Sequence, residues 1–487
     1  MLIKLLLFCL LLIGIDVCAQ AQTSATQWQS SLQMDIYANE RTHAPFWFTT
    51  NRYGTTPEGS VASSVRLRWS RPYQKIDSSQ KWDYTIALQP VLNRSLGNFG
   101  LLLPEANAGI SYGPWELHVG RSQAQVGLSD STLSSGNFIQ SANALPRPRV
   151  LLSSRNFVPL RPWNQLFSIN MGFGVGINND DYIKKSYWHQ KYLYLQIGQS
   201  KHPFKVFLGT HHQVIWGGEA EYLKSRPDIA LDGKLPSSLR YWNNILLGTK
   251  PKASANLTAF DQDYRIGNHM GTYELALQWN SPKGMVLFYH QHPFEDVSGA
   301  ALQNIPDGLY GLSWKPQRSP YRFPAIRKLA FEYLHTLSQS GSTFLRNHSI
   351  FQGNDNYFNH SQYAQGWTYR QRSLGSPFLL PRTEVTEEVS RSHPYYFPNT
   401  RIQVWYLAVK ADLMADLHMA CRISYSRNRG TNDSPITPAI PQTSVLLTSE
   451  WLFNKRYLTQ LKLAWSLDRG RLLDRNSGLR VSLLQPF

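Results

Sequence analysis

The amino-acid sequence predicts an all-β protein that folds as a transmembrane antiparallel β-barrel of about 18 strands. One observation is the strict alternation of apolar with small or polar residues over strand-length segments, clearest at 168–178. A second is an N-terminal export signal with no later apolar run of the ~20 residues that a membrane-spanning helix needs. A third is abundant Gly, Tyr, Phe and Trp at a negative mean hydropathy of −0.36. This composition is expected of a barrel whose lumen is filled with water and whose outer surface carries an apolar, lipid-facing band edged by aromatic girdles.

The first segment of the chain, residues 1–21, has the pattern of a secretory signal peptide. Lys4 supplies a short positive region, and residues 5–15 form an apolar stretch that is too short to span a membrane as a helix. Small residues follow, so cleavage is expected after Ala19 or Ala21. The sequence therefore predicts export through a cleaved signal peptide and localisation in the bacterial outer membrane.

The mature chain, residues 22–487, is expected to be one outer-membrane β-barrel domain. Cleavage would leave Cys421 as its only cysteine, so no internal disulfide is expected. At ~26 residues for a strand and its connection, the length gives roughly 18 strands, within the range of bacterial barrels. The alternative fold is a soluble, secreted β-rich domain.

Alternation typical of half-buried strands recurs along the mature chain. The charges within these segments fall on the face opposite the apolar residues, so that face must meet water rather than lipid. The last segment runs into the terminal Phe487, as in the C-terminal strands of bacterial outer-membrane barrels. Besides 168–178, the predicted strands cover 61–69, 82–89, 115–120, 273–279, 329–333, 461–468 and 479–487.

Three stretches lack this regular alternation. The stretch 34–50 is aromatic and turn-rich, and it is expected to form a plug or the first hairpin. The regions 219–268 and 338–399 are long enough to be functional loops rather than tight turns. The chain shows no internal repeat and no low-complexity linker, so a single domain is the simplest organisation.

The chain is strongly basic, with a formal net charge of +17. It contains no uninterrupted Lys/Arg run, which argues against binding to nucleic acid. At a bacterial surface, such a charge would attract lipopolysaccharide phosphates and acidic polysaccharides. The expected partners are therefore acidic surface polysaccharide, outer-membrane lipid and lipopolysaccharide, with the barrel-assembly machinery during insertion, and the protein is expected to be a monomer. The alternative is that the charges are spread over lumen and loops.

Three passages together resemble the Wzi-type capsule-assembly outer-membrane protein family, in particular its longer Bacteroidetes-type members. The first is Ser-Gly-Asn followed by Ser-Ala-Asn-Ala-Leu-Pro within 135–148. The second is His-Gln-Lys at 189–191, followed by 212–218 with its Trp-Gly-Gly. The third is Gly-Asn-Asp-Asn-Tyr-Phe-Asn-His at 353–360, followed by 363–378.

The resemblance implies an 18-stranded outer-membrane barrel that acts as a lectin and holds capsular or related surface polysaccharide at the cell exterior. It implies no catalysis, and no cofactor is expected. The chain departs from the family pattern at Arg147 and Arg149, which flank Pro148 where more apolar residues are expected. A clear periplasmic helical bundle is also missing from the sequence.

The best candidate for glycan binding is the stretch 354–372. Its aromatic residues offer flat faces for stacking on sugars, its Asn and Asp residues can hydrogen-bond to hydroxyl groups, and its arginines can hold acidic groups as forks. The alternative is a loop that folds inward and packs on itself. The candidate residues are Asn354, Asp355, Tyr357, Phe358, Asn359, Tyr363, Trp367, Tyr369, Arg370 and Arg372.

Sequence features for metal binding or catalysis are weak. His211 and His212 are adjacent, and adjacent residues of a strand point to opposite faces, so they are not expected to chelate one ion. The acidic pairs at 180–181 and 387–388 are typical of solvated turns rather than of a glycosidase site. No catalytic or metal site is therefore predicted. Two alternatives to the lectin remain: a porin for anionic or sugar solutes, and an outer-membrane hydrolase.

Overall fold

The computed structural model describes residues 28–73, 81–161, 165–199, 201–317, 323–343 and 353–487. The predicted signal peptide, residues 1–21, lies outside the described residues. None of the helices in these described ranges is long and apolar enough to cross a membrane.

The described residues form one closed, 18-stranded antiparallel β-barrel, as predicted. Each strand pairs with the next along the chain, and the last pairs with the first, from Ser31 opposite Pro486 to Asn39 opposite Gly478. Closure removes the sheet edge that an open sheet would expose to lipid. The strands are β1 Gln29–Asn39, β2 Val61–Arg71, β3 Trp82–Ser95, β4 Asn98–Tyr112, β5 Trp115–Arg121, β6 Arg149–Ser154, β7 Phe167–Ile177, β8 Lys184–Ile197, β9 Phe204–Glu219, β10 Asn268–Ser281, β11 Gly284–Phe294, β12 Gly308–Pro316, β13 Ala325–His335, β14 Ile402–Met414, β15 Leu417–Gly430, β16 Pro435–Asn454, β17 Thr459–Gly470 and β18 Asn476–Pro486.

The strands predicted from alternation are confirmed. The stretch 168–178 falls on β7, and the other predicted segments fall on β2, β3, β5, β10, β13, β17 and β18. A two-residue strand, Val158–Pro159, also pairs with β7 and continues β6 after a short interruption.

The connections differ sharply between the two ends of the barrel. The short-turn end carries the beginning of β1, the end of β18 and turns as short as 113–114. The other end, called here the long-loop end, carries the two regions predicted to be loops. Outer-membrane barrels have short periplasmic turns and longer extracellular loops, so we assign the long-loop end to the cell exterior. Its longest connections are 40–60, 122–148, 220–267 and 336–401.

The wall has an apolar outward face and a more polar lumen face, because successive strand residues point to opposite sides. On β17, Leu463 and Trp465 are exposed, whereas Ala464 and Ser466 are buried. Near the long-loop end, a row of rings crosses five adjacent strands, with neighbouring centroids 4.1–6.5 Å apart. It is an aromatic girdle of the kind found at membrane interfaces, and it consists of His290, Tyr310, Tyr333, Trp405 and Tyr425.

The helices of the described residues are short and lie in connections at the long-loop end. They are α1 Phe46–Thr49, α2 Glu221–Lys224, α3 Trp242–Leu247, α4 Ala259–Asp263, α5 Val297–Ala300 and α6 Glu387–Ser392, with a 3₁₀ turn at Leu239–Tyr241.

Part of the 220–267 connection covers the outside of the wall, and we call its residues 239–267 the strap. The outward face beneath it is unusually polar: His189 and His212 both point away from the lumen there, yet both are buried. The ring of Trp242 lies 5.2 Å from that of His189, and Ile245 is fully buried against the wall. The strap therefore shields polar groups that would be costly against lipid.

The adjacent residues His211 and His212 point to opposite faces of the wall, as predicted. His211 Nε2 lies 2.7 Å from Gln190 Nε2 on the lumen side, whereas His212 Nε2 lies 3.1 Å from His269 Nδ1 on the outward side. Within the ranges that the structure describes, no group of three or more His, Cys, Asp or Glu residues is arranged to hold a metal ion.

Three connections of the long-loop end fold back into the lumen and form what we call the plug. It comprises the described residues of 40–60, 122–148 and 336–401, whose apolar side chains share one core with lumen-facing residues of the wall. The first part of the stretch 34–50 lies in β1 of the wall, and its last part, with α1, lies in the plug.

Candidate glycan-binding site in the plug

The interior of the plug is aromatic. Phe46 of α1 stacks on Phe378 with ring centroids 5.6 Å apart, and Trp47 lies 5.3 Å from Tyr406 of the wall. Aromatic pairs of this kind add to the stability that burial of their area provides. These contacts and the shared core join the three connections to one another and to the barrel.

Three carboxylates of the wall fix the backbone of the plug. Glu274 of β10 accepts from Leu128 N at 2.5 Å, Glu332 of β13 from Ser135 N at 2.9 Å, and Asp468 of β17 from Phe46 N at 2.8 Å. All three carboxylates are buried. Since an N–H buried without an acceptor is costly, these residues explain how irregular backbone can lie inside the barrel.

The five aromatic residues predicted to stack on sugars are buried in this plug, so the expectation that they present exposed faces is not met. They are at most 3% exposed. Their polar atoms are used internally: Tyr357 donates to Asp307 at 2.8 Å, and Trp367 Nε1 donates to the Ile139 carbonyl at 2.9 Å. Their buried position agrees with the alternative given for this stretch, a loop that folds inward and packs on itself. The five residues are Tyr357, Phe358, Tyr363, Trp367 and Tyr369.

The predicted amide and carboxylate contacts are also largely occupied by the protein. The Asn354 amide donates to Asp433 at 3.1 Å. Asn359 bridges two segments, because its amide donates to the Phe397 carbonyl at 3.0 Å and its oxygen accepts from Phe397 N at 2.9 Å. Asp355 is buried and accepts from Ser340 Oγ at 2.6 Å. Asn354 and Asn359 keep partial exposure, and Asp355 does not.

The two predicted arginine forks differ in their availability. Arg372 is paired with Glu384 at 3.3 Å, and both side chains are mostly buried. Arg370 is the exposed member of the predicted set, with half of its side chain accessible, and its pair with Asp181 is long at 3.5 Å. Its backbone N–H donates to Asp180 at 2.7 Å, which holds the turn in place. Arg370 is therefore the predicted residue best placed to contact a ligand at the surface.

Buried carboxyl groups gather beside the predicted stretch. Asp355 lies near Asp296 and Asp307, and burial together with these charges raises its pKa to about 7. Burial and the nearby Asp355 also raise the pKa of Glu295 well above its usual value. Arg265, the cation facing Asp296 and Asp355, uses its Nε in a bond to the Gly248 carbonyl at 2.6 Å. We therefore expect the stability of this loop to depend on pH.

Sequence reasoning missed a recess between the 122–148 segment of the plug and the lumen face of β6, β8 and β9. Arg147, Arg149, Trp188 and Gln213 line it. Both arginines are 6% exposed, and the guanidinium of Arg147 lies 3.9 Å from the ring centre of Trp188. The sequence feature that could have indicated this recess is the pair of arginines around Pro148 within an otherwise apolar passage.

The basic excess of the chain does not reside in the loops of the long-loop end, where basic and acidic residues nearly balance. It resides in the strands and in the connections of the short-turn end. The described residues of these short-turn connections include Lys81, Arg155, Arg161, Lys201, Lys283, Lys455 and Arg456 against Asp416. The alternative expectation is that the charges are spread over lumen and loops. The long loops carry no basic excess, so the excess lies in the strands and the short-turn connections instead.

The closed barrel, its apolar outward face and its girdle define an outer-membrane β-barrel protein with a plug of loops in the lumen. No family model and no curated protein matches the sequence.

Solved structures provide the comparison. The chain is similar to Wzi of Escherichia coli, an outer-membrane protein involved in group 1 capsule assembly and a carbohydrate-binding β-barrel, with 14% identity, a TM-score of 0.58, and coverage of 94% of this chain and 84% of that chain. It is also similar to OprD of Pseudomonas aeruginosa, with 9% identity, a TM-score of 0.43, and coverage of 95% and 93%. A third is OccAB2 of Acinetobacter baumannii, with 8% identity, a TM-score of 0.47, and coverage of 94% and 98%. At these identities the likeness shows the fold alone.

Proposed function

We propose that the protein is a non-enzymatic outer-membrane lectin that binds acidic capsular or other surface polysaccharide and holds it at the cell exterior during capsule assembly. The observation that carries the proposal is the plug. Its three segments come from the end assigned to the exterior and share a core with the wall. A barrel filled in this way offers a shaped surface for binding, whereas a diffusion porin needs an open lumen.

The chemistry of the plug supports an acidic ligand. Arg370 stands at its surface, and Arg147 and Arg149 line a recess beside it. Guanidinium groups bind carboxylates and phosphates as forks. The likeness in fold to a carbohydrate-binding barrel is consistent with this proposal.

The acidic pairs weighed for a hydrolase have structural partners. Asp180 accepts from the backbone of Arg370, while Glu387 pairs with Arg391 and Glu388 with Arg471 at the surface. These contacts favour binding without turnover.

The test is capture of the refolded protein on immobilised surface polysaccharide of the host, with wild type beside Arg370→Ala. Loss of a charged hydrogen bond of ~1.5–3 kcal/mol weakens binding by about tenfold or more. The matched control is Arg391→Ala, because Arg391 is also exposed and lies in the same connection. Current across a planar bilayer and release of reducing ends are measured in parallel. Absence of capture together with a steady wild-type current would replace the lectin with a porin, and released reducing ends would replace it with a hydrolase.

A further inference from the structure

One edge of the Arg149 guanidinium has two N–H groups that find no acceptor among the described residues. Nη1 donates to Gln190 Oε1 at 2.9 Å, but no described residue accepts from Nε or Nη2, although both atoms are buried. These two groups point in parallel and fit the two oxygens of a carboxylate. In this same protein, Arg226 uses that edge to bind Asp228, through Nε at 3.0 Å and Nη2 at 2.8 Å. The unused edge of Arg149 is thus complementary to a carboxylate-sized anion.

A second guanidinium beside it increases the local positive charge. The Nη groups of Arg147 donate to neutral amide oxygens, those of Asn178 at 3.0 Å and Gln213 at 2.9 Å. Among the described residues, no Asp or Glu forms an ion pair with Arg147 or Arg149. Buried charges without a counter-charge are strongly unfavourable, and burial lowers the pKa of Arg147 well below its usual value. An anion in the recess would offset both charges.

The size of the recess limits what can enter it. Its cavity volume is about 40 Å³, and it is open to solvent. Since one water needs roughly 10–15 Å³ on this measure, the recess accommodates a carboxylate or a similar small anion but not a sugar ring. Ala124 and Gln125 on its rim are exposed, so the rest of a ligand could remain outside.

From this geometry we propose that the recess at Arg149 is an anion subsite that binds the carboxylate of a uronate residue of the polysaccharide. The carboxylate oxygens accept from Nε and Nη2 of Arg149, which become accessible when the side chains that cover them in the free protein shift. Arg147 adds charge, and the sugar ring stays outside the recess. The inference rests on the proposed function and narrows it to glycans with carboxylate side groups. Arg149 is then a residue that determines specificity for acidic over neutral sugars.

The first test uses the wild-type barrel alone. Galacturonate, galactose and acetate are added at matched concentration and ionic strength, and the thermal unfolding midpoint is measured, since a ligand that binds the folded state raises it. We expect a rise with galacturonate and none with galactose. A rise with acetate as well would support the anion subsite and assign its recognition to the carboxylate group. Equal rises with galactose and galacturonate, or no rise with any of the three, would overturn it.

The second test asks whether Arg149 is the site. Arg149→Lys keeps the charge but removes the parallel N–H pair, and we expect at least a tenfold loss of galacturonate affinity. Arg68→Lys is the matched control, because Arg68 is also a barrel-wall arginine but has a partner of its own, Glu105 at 3.2 Å. Unchanged affinity in Arg149→Lys, or an equal loss in Arg149→Lys and the control, would overturn the assignment.

Capture on the whole polysaccharide separates this inference from the proposed function. If polysaccharide binds wild type and Arg149→Lys equally while galacturonate does not bind, the subsite is wrong and the lectin stands. If galacturonate binds at Arg149 but the polysaccharide is not captured, the subsite stands and the lectin is wrong.

Discussion

Glu332 of β13 joins the wall to the plug at Ser135, and its removal should open the barrel. Its carboxylate accepts from Ser135 N at 2.9 Å, and also from the hydroxyls of Ser135 and Tyr289. The residue is 1% exposed. Glu332→Ala would leave these three donors buried without their acceptor, whereas Glu332→Gln retains one carbonyl oxygen and nearly the same volume.

The expected magnitudes follow from these contacts. A buried donor that loses its acceptor costs ~1–3 kcal/mol, so three donors at the lower limit give about 3 kcal/mol for Glu332→Ala. We expect about 1 kcal/mol for Glu332→Gln, because one acceptor remains. Only two of these donors, Ser135 N and Oγ, belong to the plug, because Tyr289 lies on β11 of the wall. At ~1 kcal/mol for each plug donor and about 1.4 kcal/mol for each factor of ten, the alanine variant should populate a displaced plug about thirtyfold more than wild type.

The assay is single-channel recording in planar bilayers, with thermal unfolding of the same preparations. Wild type should be closed nearly all the time, Glu332→Gln should open slightly more often, and Glu332→Ala should open frequently. Glu450→Ala is the control: Glu450 faces the lumen on β16 and pairs with Lys462 at 3.2 Å, away from the plug. Its loss should cost at most ~1 kcal/mol, as for a partly exposed ion pair. If Glu332→Ala were as closed and as stable as the control, the carboxylate would not hold the plug.

Two further predictions concern the loops. The pKa of Asp355 is about 7 in the folded protein against 3.8 for a free side chain, so the folded state binds its proton more tightly and stability falls as pH rises from about 4 to about 7. The stability of Asp355→Asn should therefore exceed that of wild type at pH 8 by at least ~1 kcal/mol more than it does at pH 4; an equal gap at both pH values in thermal unfolding would contradict this. In α3 of the strap, Ile245→Ala should cost about 3 kcal/mol because Ile245 is fully buried. Leu247→Ala should change stability by less than ~0.5 kcal/mol because Leu247 is 68% exposed; equal losses of thermal stability would show that the strap does not pack as described.

The barrel could be predicted because alternation is a direct consequence of strand geometry. Residues 168–178 and 461–468 alternate strictly, since one face of each strand meets lipid and the other the lumen, and both were placed correctly. The first half of β8 does not alternate in this way, because His189 lies on the outward face under the strap. A rule that assumes lipid outside every strand fails where a loop covers the wall.

The position of the aromatic loop could not be predicted, because inward and outward loops have the same composition. Tyr357 and Trp367 would suit a sugar platform or a loop core equally well in sequence. A loop core differs from a sugar platform because the polar atoms of its aromatic side chains have hydrogen-bond partners within the protein. The partners of Tyr357 and Trp367 are Asp307 and the Ile139 carbonyl, which lie far away along the chain. Such long-range pairs are fixed by closure of the barrel and leave no local pattern. For the same reason the recess at Arg149 appeared in sequence only as a departure from an apolar passage.

The distribution of charge decides how an acidic polymer can be recognised. Charges at the long-loop end nearly cancel, and interactions between exposed charges are screened beyond about 10 Å at 0.1 M salt. Long-range attraction to the exterior surface is therefore weak, despite the net charge of +17. Discrimination between acidic and neutral glycans must then come from close contacts, and those of a buried guanidinium are stronger and less screened than those of a surface lysine. The two proposals accordingly predict binding that follows the placement of carboxylate groups along the polymer more closely than its overall charge density.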